Sequence, residues 1–286
     1  MKIEVLESTL DDELSWRKKE ITSLNLIAFK IHQDSDKDQV LYQTVMKTLF
    51  LLLYSHWEGF IKKTSKLYLK YLSNQALITS NLTPNFAALM LQKSIDTCSS
   101  EQSSKSLSIT HYLDFIEKHE KRITNKFKVD VNLDQDVDDG FIQTYSNLNY
   151  KNYKNIINSL NLPFYEYYYS PKNKVEIEDS NHKIQKVEYL KSLLDFSLLS
   201  HRNAIAHGSK NSISLDFEEY AQLENKILFL LGTHKEDILE FCFNKYFLRQ
   251  NSAQLNIYLE EQSIKVENFF SNLEKTLEKK HSLEEV

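Results

Sequence analysis

Apolar residues recur at helical spacing along most of this chain. From about Leu10 to Ile31, the positions Leu14, Ile21, Leu24, Leu26, Ile27 and Ile31 form a broad apolar stripe, which predicts an amphipathic helix. The polar run Gln33-Asp34-Ser35-Asp36 breaks it, with Asp36 as the expected N-cap of a second helix from about Lys37 to Leu72. The middle of that helix, Leu49-Phe50-Leu51-Leu52-Leu53-Tyr54, is apolar all round. That is the pattern of a helix buried on every side, the spine of a bundle. Residues 76–182 differ. They hold all three Pro, a Ser-rich stretch from Ser99 to Ser108 and an acidic stretch from Asp130 to Asp139. Short helices are expected near 84–95, 110–119, 139–148 and 150–160, so this part reads as an irregular helical insertion. The aromatic cluster Phe164 to Tyr169 is expected to pack locally.

Regular pattern returns at about His182 and persists to Ala206, through Val187, Leu190, Leu194, Leu198 and Ile205. Gly208 suits the position just past a helix end. One helix is expected from near Asp216 to Gly232, another from Lys235 to about Arg249, and an amphipathic, charge-paired tail over 252–281. The expected fold is an all-α bundle within a single domain spanning 1–286. Its core lies at about 10–75 and 183–250, with the insertion between.

Composition sharpens this picture. Four Gly and three Pro are too few for the turns of an all-β fold. No phosphate loop, dinucleotide turn or nucleophile elbow is spelled out. A net charge of −5 means that any nucleic-acid contact must be local. Cys98 and Cys242 have no pairing motif and read as reduced thiols of a cytoplasmic protein. The acidic N-terminus lacks an apolar signal core, and the apolar run Leu49–Tyr54 is too short to span a bilayer.

The chemistry concentrates in Ser200-His201-Arg202-Asn203-Ala204-Ile205-Ala206-His207-Gly208. Arg202 is one of only four Arg, with Arg17, Arg122 and Arg249. Its planar fork of donors suits phosphate or carboxylate. His207 can exchange a proton near neutral pH and sits in a last turn, where carbonyl dipoles favour the imidazolium. Residues five apart on a helix project about 140° apart, so Arg202 and His207 are not collinear. Asn203 and His207 are, and Arg202 flanks their polar stripe. Two readings stay open at this point: a phosphodiester-cleaving set, or side chains that simply satisfy a helix end. His201 falls on the apolar stripe and is expected to be a core histidine. Upstream, His56-Trp57-Glu58-Gly59-Phe60 interrupts the most apolar helix. An unpaired buried carboxylate is costly, so Glu58 is expected either to meet Arg202, His201 or a backbone donor near them, or to lie with His56 on a solvent edge. Metal readings fail. The stretch opening at Asp130 has Gln135 and Phe141 where a calcium loop needs Gly and Glu, and the nine His have no ligand spacing. No cofactor is expected.

Arg202 to His207, with the polar Asn203 directly after the Arg, resembles the R-x-x-x-x-H motif of the HEPN superfamily. Together with Tyr54-Ser55-His56-Trp57-Glu58-Gly59-Phe60, the preceding Ser200-His201 and the following Gly208, it is similar to a larger prokaryotic branch. The resemblance covers roughly 37–75 and 183–250. It implies a dimerising all-α bundle, often with two motifs facing a shared cleft, and metal-independent endoribonuclease activity in toxin–antitoxin or antiviral systems. By the same resemblance Arg202 and His207 form the catalytic pair, Asn203 is an orienting group, and Glu58, His56 and His201 are supporting residues. RNA is then the substrate, and an antitoxin or defence partner protein accompanies the homodimer. In one branch a Tyr lies two positions after the His. Here that position is Ser209, so control by nucleotide addition to that Tyr is not implied. The alternative reading is a non-catalytic module of the same type that binds a nucleotide or a partner protein.

Overall fold

The computed structural model describes residues 1–34, 38–101, 108–133, 141–166, 168–169, 187–208 and 216–284. The expected cap Asp36, Tyr167, Ser209 and the acidic residues 134–139 lie outside these.

Helix α1 spans Ile3–Gln33 and buries Leu6, Leu10, Leu14, Ile21 and Ala28 on one face. Helix α2, Gln39–Asn74, is capped by Asp38, whose carboxylate accepts from the Val40 and Leu41 N–H groups at 2.8 and 3.2 Å. Its centre buries Leu49, Phe50, Leu53, Tyr54, Trp57, Phe60 and Ile61. Burial is not complete all round, since Leu51 stays 36 % exposed and Ser55 also faces solvent. Helix α8, Phe217–Phe243, starts at Asp216, whose carboxylate accepts from the Glu218 N–H. It is one helix where two were expected, because Gly232 does not stop it. Leu230, Leu231, Thr233 and His234 are buried around it. Their packing offsets the roughly 1 kcal/mol that a helical Gly costs. Helices α1, α2 and α8 pack mutually as the bundle core.

The insertion contributes α3 (Pro84–Glu101), α4 (Ile109–Thr124) and α5 (Tyr150–Ser159). Residues 139–140 lie outside the described residues, and in place of the rest of the helix expected over 139–148, residues 141–149 form turns and bends. The cause is side-chain competition for the backbone. The Asn152 amide donates to the Thr144 and Asn147 carbonyls, both at 2.8 Å, and Asn149 caps α5 by accepting from the Asn152 N–H. Phe127, Ile142, Leu148, Ile156 and Leu160 of the insertion join the same buried cluster as the bundle. Val187, expected inside a helix, pairs instead as a two-residue strand, Val187–Glu188 against Tyr168–Tyr169. Helical structure then begins at α6, Tyr189–Lys191. It passes through a π-helical stretch, Ser192–Leu199, into α7, Ser200–Ala206. The C-terminal helix α9, Ser252–Glu284, seats Tyr258, Val266 and Phe270 in the core.

Candidate functional site

The π-helical stretch sets the orientation of the motif helix. The Ser200 N–H donates to the Asp195 carbonyl, five residues back, so the turn is wider than in an α-helix. Leu193, Leu194 and Leu198 anchor the stretch in the core. Past it, His201 faces inward. Its ring stacks on Phe50 at 4.5 Å, nearly parallel, and Nδ1 donates to the Ser197 carbonyl. Arg202 turns toward α2, where its guanidinium lies 5.2 Å over the Tyr54 ring and donates to Asn203 Oδ1 at 2.9 Å.

Arg202 closes one side of an open pocket of about 220 Å³, whose other walls are Leu51, Tyr54, Ser55, Glu58 and Gly59 of α2. Glu58 is half-buried there but does not pair with Arg202 or His201. Thr144 donates to its Oε1 at 2.8 Å, and Lys62 Nζ stands 3.9 Å away. The partner thus comes from the insertion, where no motif marked it. The Tyr54 hydroxyl accepts from the Leu148 N–H at 2.8 Å. Burial, then the adjacent Glu58 carboxylate, pushes that hydroxyl well above the usual phenol range. His207 ends α7. Its N–H donates to the Asn203 carbonyl at 2.9 Å, its ring is exposed, and Gly208 follows at φ 70°.

Residues 6–247 match the model of the HEPN_MAE_28990-like HEPN family. The chain belongs to that family. No curated protein and no solved structure matches it. HEPN membership points to a nuclease or an RNA-related module. The match runs from α1 to beyond α8, so it takes in the insertion as well as the two motif segments.

Within this HEPN fold the motif residues divide into two sets. Arg202, Asn203 and Glu58 gather at or beside the pocket, with His207 exposed at the end of the same short helix. His56 and His201 are drawn into packing instead. His56 points to α1, edge-on to Trp16 at 5.2 Å. Glu20 Oε2 lies 3.1 Å from its Nε2, off the line of a hydrogen bond. Burial lowers the His56 pKa, the Arg17 charge lowers it further, and Glu20 offsets part of this. Arg17 is itself buried, paired with Glu13 and stacked 4.2 Å over Trp16. Thr144 and Arg17 are the residues that sequence reasoning missed, and Tyr54 was read only as part of the upstream motif, with no role of its own. Tyr54 stands two positions before His56, and Arg17 shares the scarcity that singled out Arg202. Thr144 carries no such signal. Among the described residues, no group of three or more His, Cys, Asp or Glu is placed to hold a metal ion, and no helix is long and apolar enough to cross a membrane.

Proposed function

We propose that this HEPN protein is a metal-independent RNA endonuclease of a bacterial toxin–antitoxin or antiviral defence system, acting through Arg202 and His207. The observation that carries the reading is the state of Arg202. It lines an open pocket, half-buried, and among the described residues no carboxylate lies within ion-pair distance of it. A guanidinium stacked on an aromatic ring keeps its outer N–H edge for an anion such as phosphate. RNA supplies its own nucleophile. The 2′-OH attacks the adjacent phosphorus, the bond to the 5′ oxygen breaks, and a 2′,3′-cyclic phosphate and a 5′-OH remain. The 2′ proton must leave and the departing oxygen must gain one, which is work for an exposed imidazole such as His207. Arg202 stabilises the charge that builds on the phosphate oxygens. In a homodimer, two His207 side chains at one cleft divide the base and acid roles, with Asn203 orienting Arg202. The protein then acts in the cytoplasm, and an antitoxin or defence partner restrains it.

The test is cleavage of RNA in the presence of a chelator. Wild type should cut and leave cyclic phosphate ends. His207→Ala should abolish cutting with the fold intact, because the exposed His207 carries little packing. Arg202→Lys should be severely impaired, because it loses the bidentate fork. Strict dependence on added divalent metal, or unchanged cutting in both variants, overturns the reading. A second reading, a non-catalytic HEPN module for a nucleotide or a partner protein, draws support from the net charge of −5. It predicts no cleavage but Arg202-dependent nucleotide or protein binding.

A further inference from the structure

We propose that Tyr54 is the positioning residue for Arg202, and that the turn at residues 144–148 of the insertion holds Tyr54 in place. This rests on the reading of Arg202 as the phosphate contact. Long Arg side chains are mobile unless something fixes them. At Arg202, Asn203 holds one edge of the guanidinium and the Tyr54 ring supports its face at 5.2 Å. The ring is in turn pinned at its far end, where the Leu148 N–H donates to the hydroxyl at 2.8 Å. Trp57 Nε1, one helical turn on, donates to the Leu148 carbonyl at 3.4 Å. Both polar groups of Leu148 are thus engaged by side chains of α2.

The turn is built to stay there. Thr144 donates to Glu58 at 2.8 Å, and the Asn152 amide grips the Thr144 and Asn147 carbonyls. Tyr145 and Ser146 are held at φ 49° and 76°. Non-Gly residues persist in that region only where surrounding contacts over-determine them. The same segment reaches the other wall of the pocket. The Tyr150 N–H donates to Asp195 Oδ1 at 2.7 Å, inside the π-helical stretch that carries α7. One short piece of chain therefore braces α2 and the motif helix together. A support of this kind acts on the geometry of the phosphate contact, and small misplacements there are expensive in rate.

The experiment combines side-chain NMR with kinetics on the full chain. Four Arg give four Nε–Hε signals, and Arg202→Lys assigns one of them. Wild type should show the Arg202 signal shifted by the Tyr54 ring current. Tyr54→Phe keeps the ring but loses the Leu148 contact, so it should retain only part of that shift and part of the cleavage. Tyr54→Leu removes the ring current with the ring, so the readout there is mobility: the heteronuclear NOE of the Arg202 Nε–Hε group should fall to that of a free side chain, and kcat should fall by about tenfold to a hundredfold with KM nearly unchanged. Thr144→Val should move the signal partway to the solvent-exposed position. Arg17, paired with Glu13, and Arg249, whose Nε donates to the Leu82 carbonyl, serve as fold controls and should not shift. An Arg202 NOE that stays at its wild-type value in Tyr54→Leu overturns the proposal whatever the kinetics. So does an unchanged kcat in a Tyr54→Leu variant whose NOE has fallen. An unmoved signal in Thr144→Val removes the turn from it. If the signals behave as expected and wild type cuts no RNA, the nuclease reading fails and the positioning of Arg202 by Tyr54 stands.

Discussion

At the scale of single residues, two positions make separable predictions. Asp237 is 3 % exposed and accepts from the hydroxyls of Tyr165 at 2.8 Å and Tyr258 at 2.6 Å. Burial pushes its carboxyl up to about 7, against the pull of those two donors. The unfolded carboxyl releases its proton near pH 4. Between about pH 4 and 7 the unfolded chain therefore binds fewer protons than the native one, and Asp237 makes stability fall as pH rises. Asn at this position keeps an acceptor for both tyrosines and cannot ionise. Urea unfolding at pH 5 and pH 8 should show Asp237→Asn gaining on wild type at the higher pH. Equal slopes would refute the assignment. His234 works the other way: burial holds it down at about 3, so it makes stability rise between about pH 3 and 6.5. The second position is Gly208, at φ 70°. A side chain there adopts the left-handed region at a cost, so Gly208→Ala should lose about 1–2 kcal/mol in the same unfolding assay. Gly208 was readable in the sequence because a helix-ending Gly is a local signal. Asp237 was not, because its two partners come from the insertion and from α9.

At the scale of elements, α2 carries both the bundle core and the pocket wall. Gly59 sits mid-helix on that wall, and a Cβ added there would meet Arg17 at 3.5 Å, an ordinary contact. Gly59→Ala should therefore raise the urea midpoint, by about 1 kcal/mol in stability. The same methyl narrows the pocket, so RNA cleavage should fall while stability rises. A variant that is less stable, or equally active, would show that the pocket wall is misjudged. The π-helical stretch is the element least legible in advance. Its leucines satisfy α-helical spacing on paper. The i→i+5 bonding goes with the burial of Leu193, Leu194 and Leu198, which only the packed structure shows. The same limit explains α8. A Gly and a polar pair at 232–234 look like a stop, and only the burial on both sides keeps the helix going.

At the scale of the whole molecule, α2 presents an uncharged exposed stripe, Leu41, Thr44, Thr48, Leu51 and Ser55. The steps alternate between three and four residues, the seam spacing of paired helices. Thr44 and Thr48 donate their hydroxyls to the Val40 and Thr44 carbonyls at 2.7 and 2.9 Å, so the stripe can be dehydrated at little cost. It leads directly into the Arg202 pocket through Leu51 and Ser55. The homodimer proposed above is expected to form on this face, bringing two pockets together, and a wild type that stays monomeric at micromolar concentration would overturn it. Leu51→Lys should give a monomer by light scattering at micromolar concentration, unchanged in circular dichroism and inactive on RNA. A variant that remains dimeric would move the interface elsewhere.

Local pattern alone determined the helical class, the extents of α1 and α2 to within a turn or two at most ends, and the Gly208 stop. Each of these depends on spacing within one stretch of chain, which is what a helix reads. Tertiary structure decided what the motif side chains touch. His56 and His201 went to packing contacts, with Trp16 of α1 and Phe50 of α2, rather than to the pocket. Glu58 found Thr144 rather than Arg202, and Arg202 found the Tyr54 ring rather than a carboxylate. Those pairings join residues far apart in sequence. No periodicity encodes them, because they depend on how an irregular, side-chain-bonded turn and a π-helical stretch bring separate elements into contact.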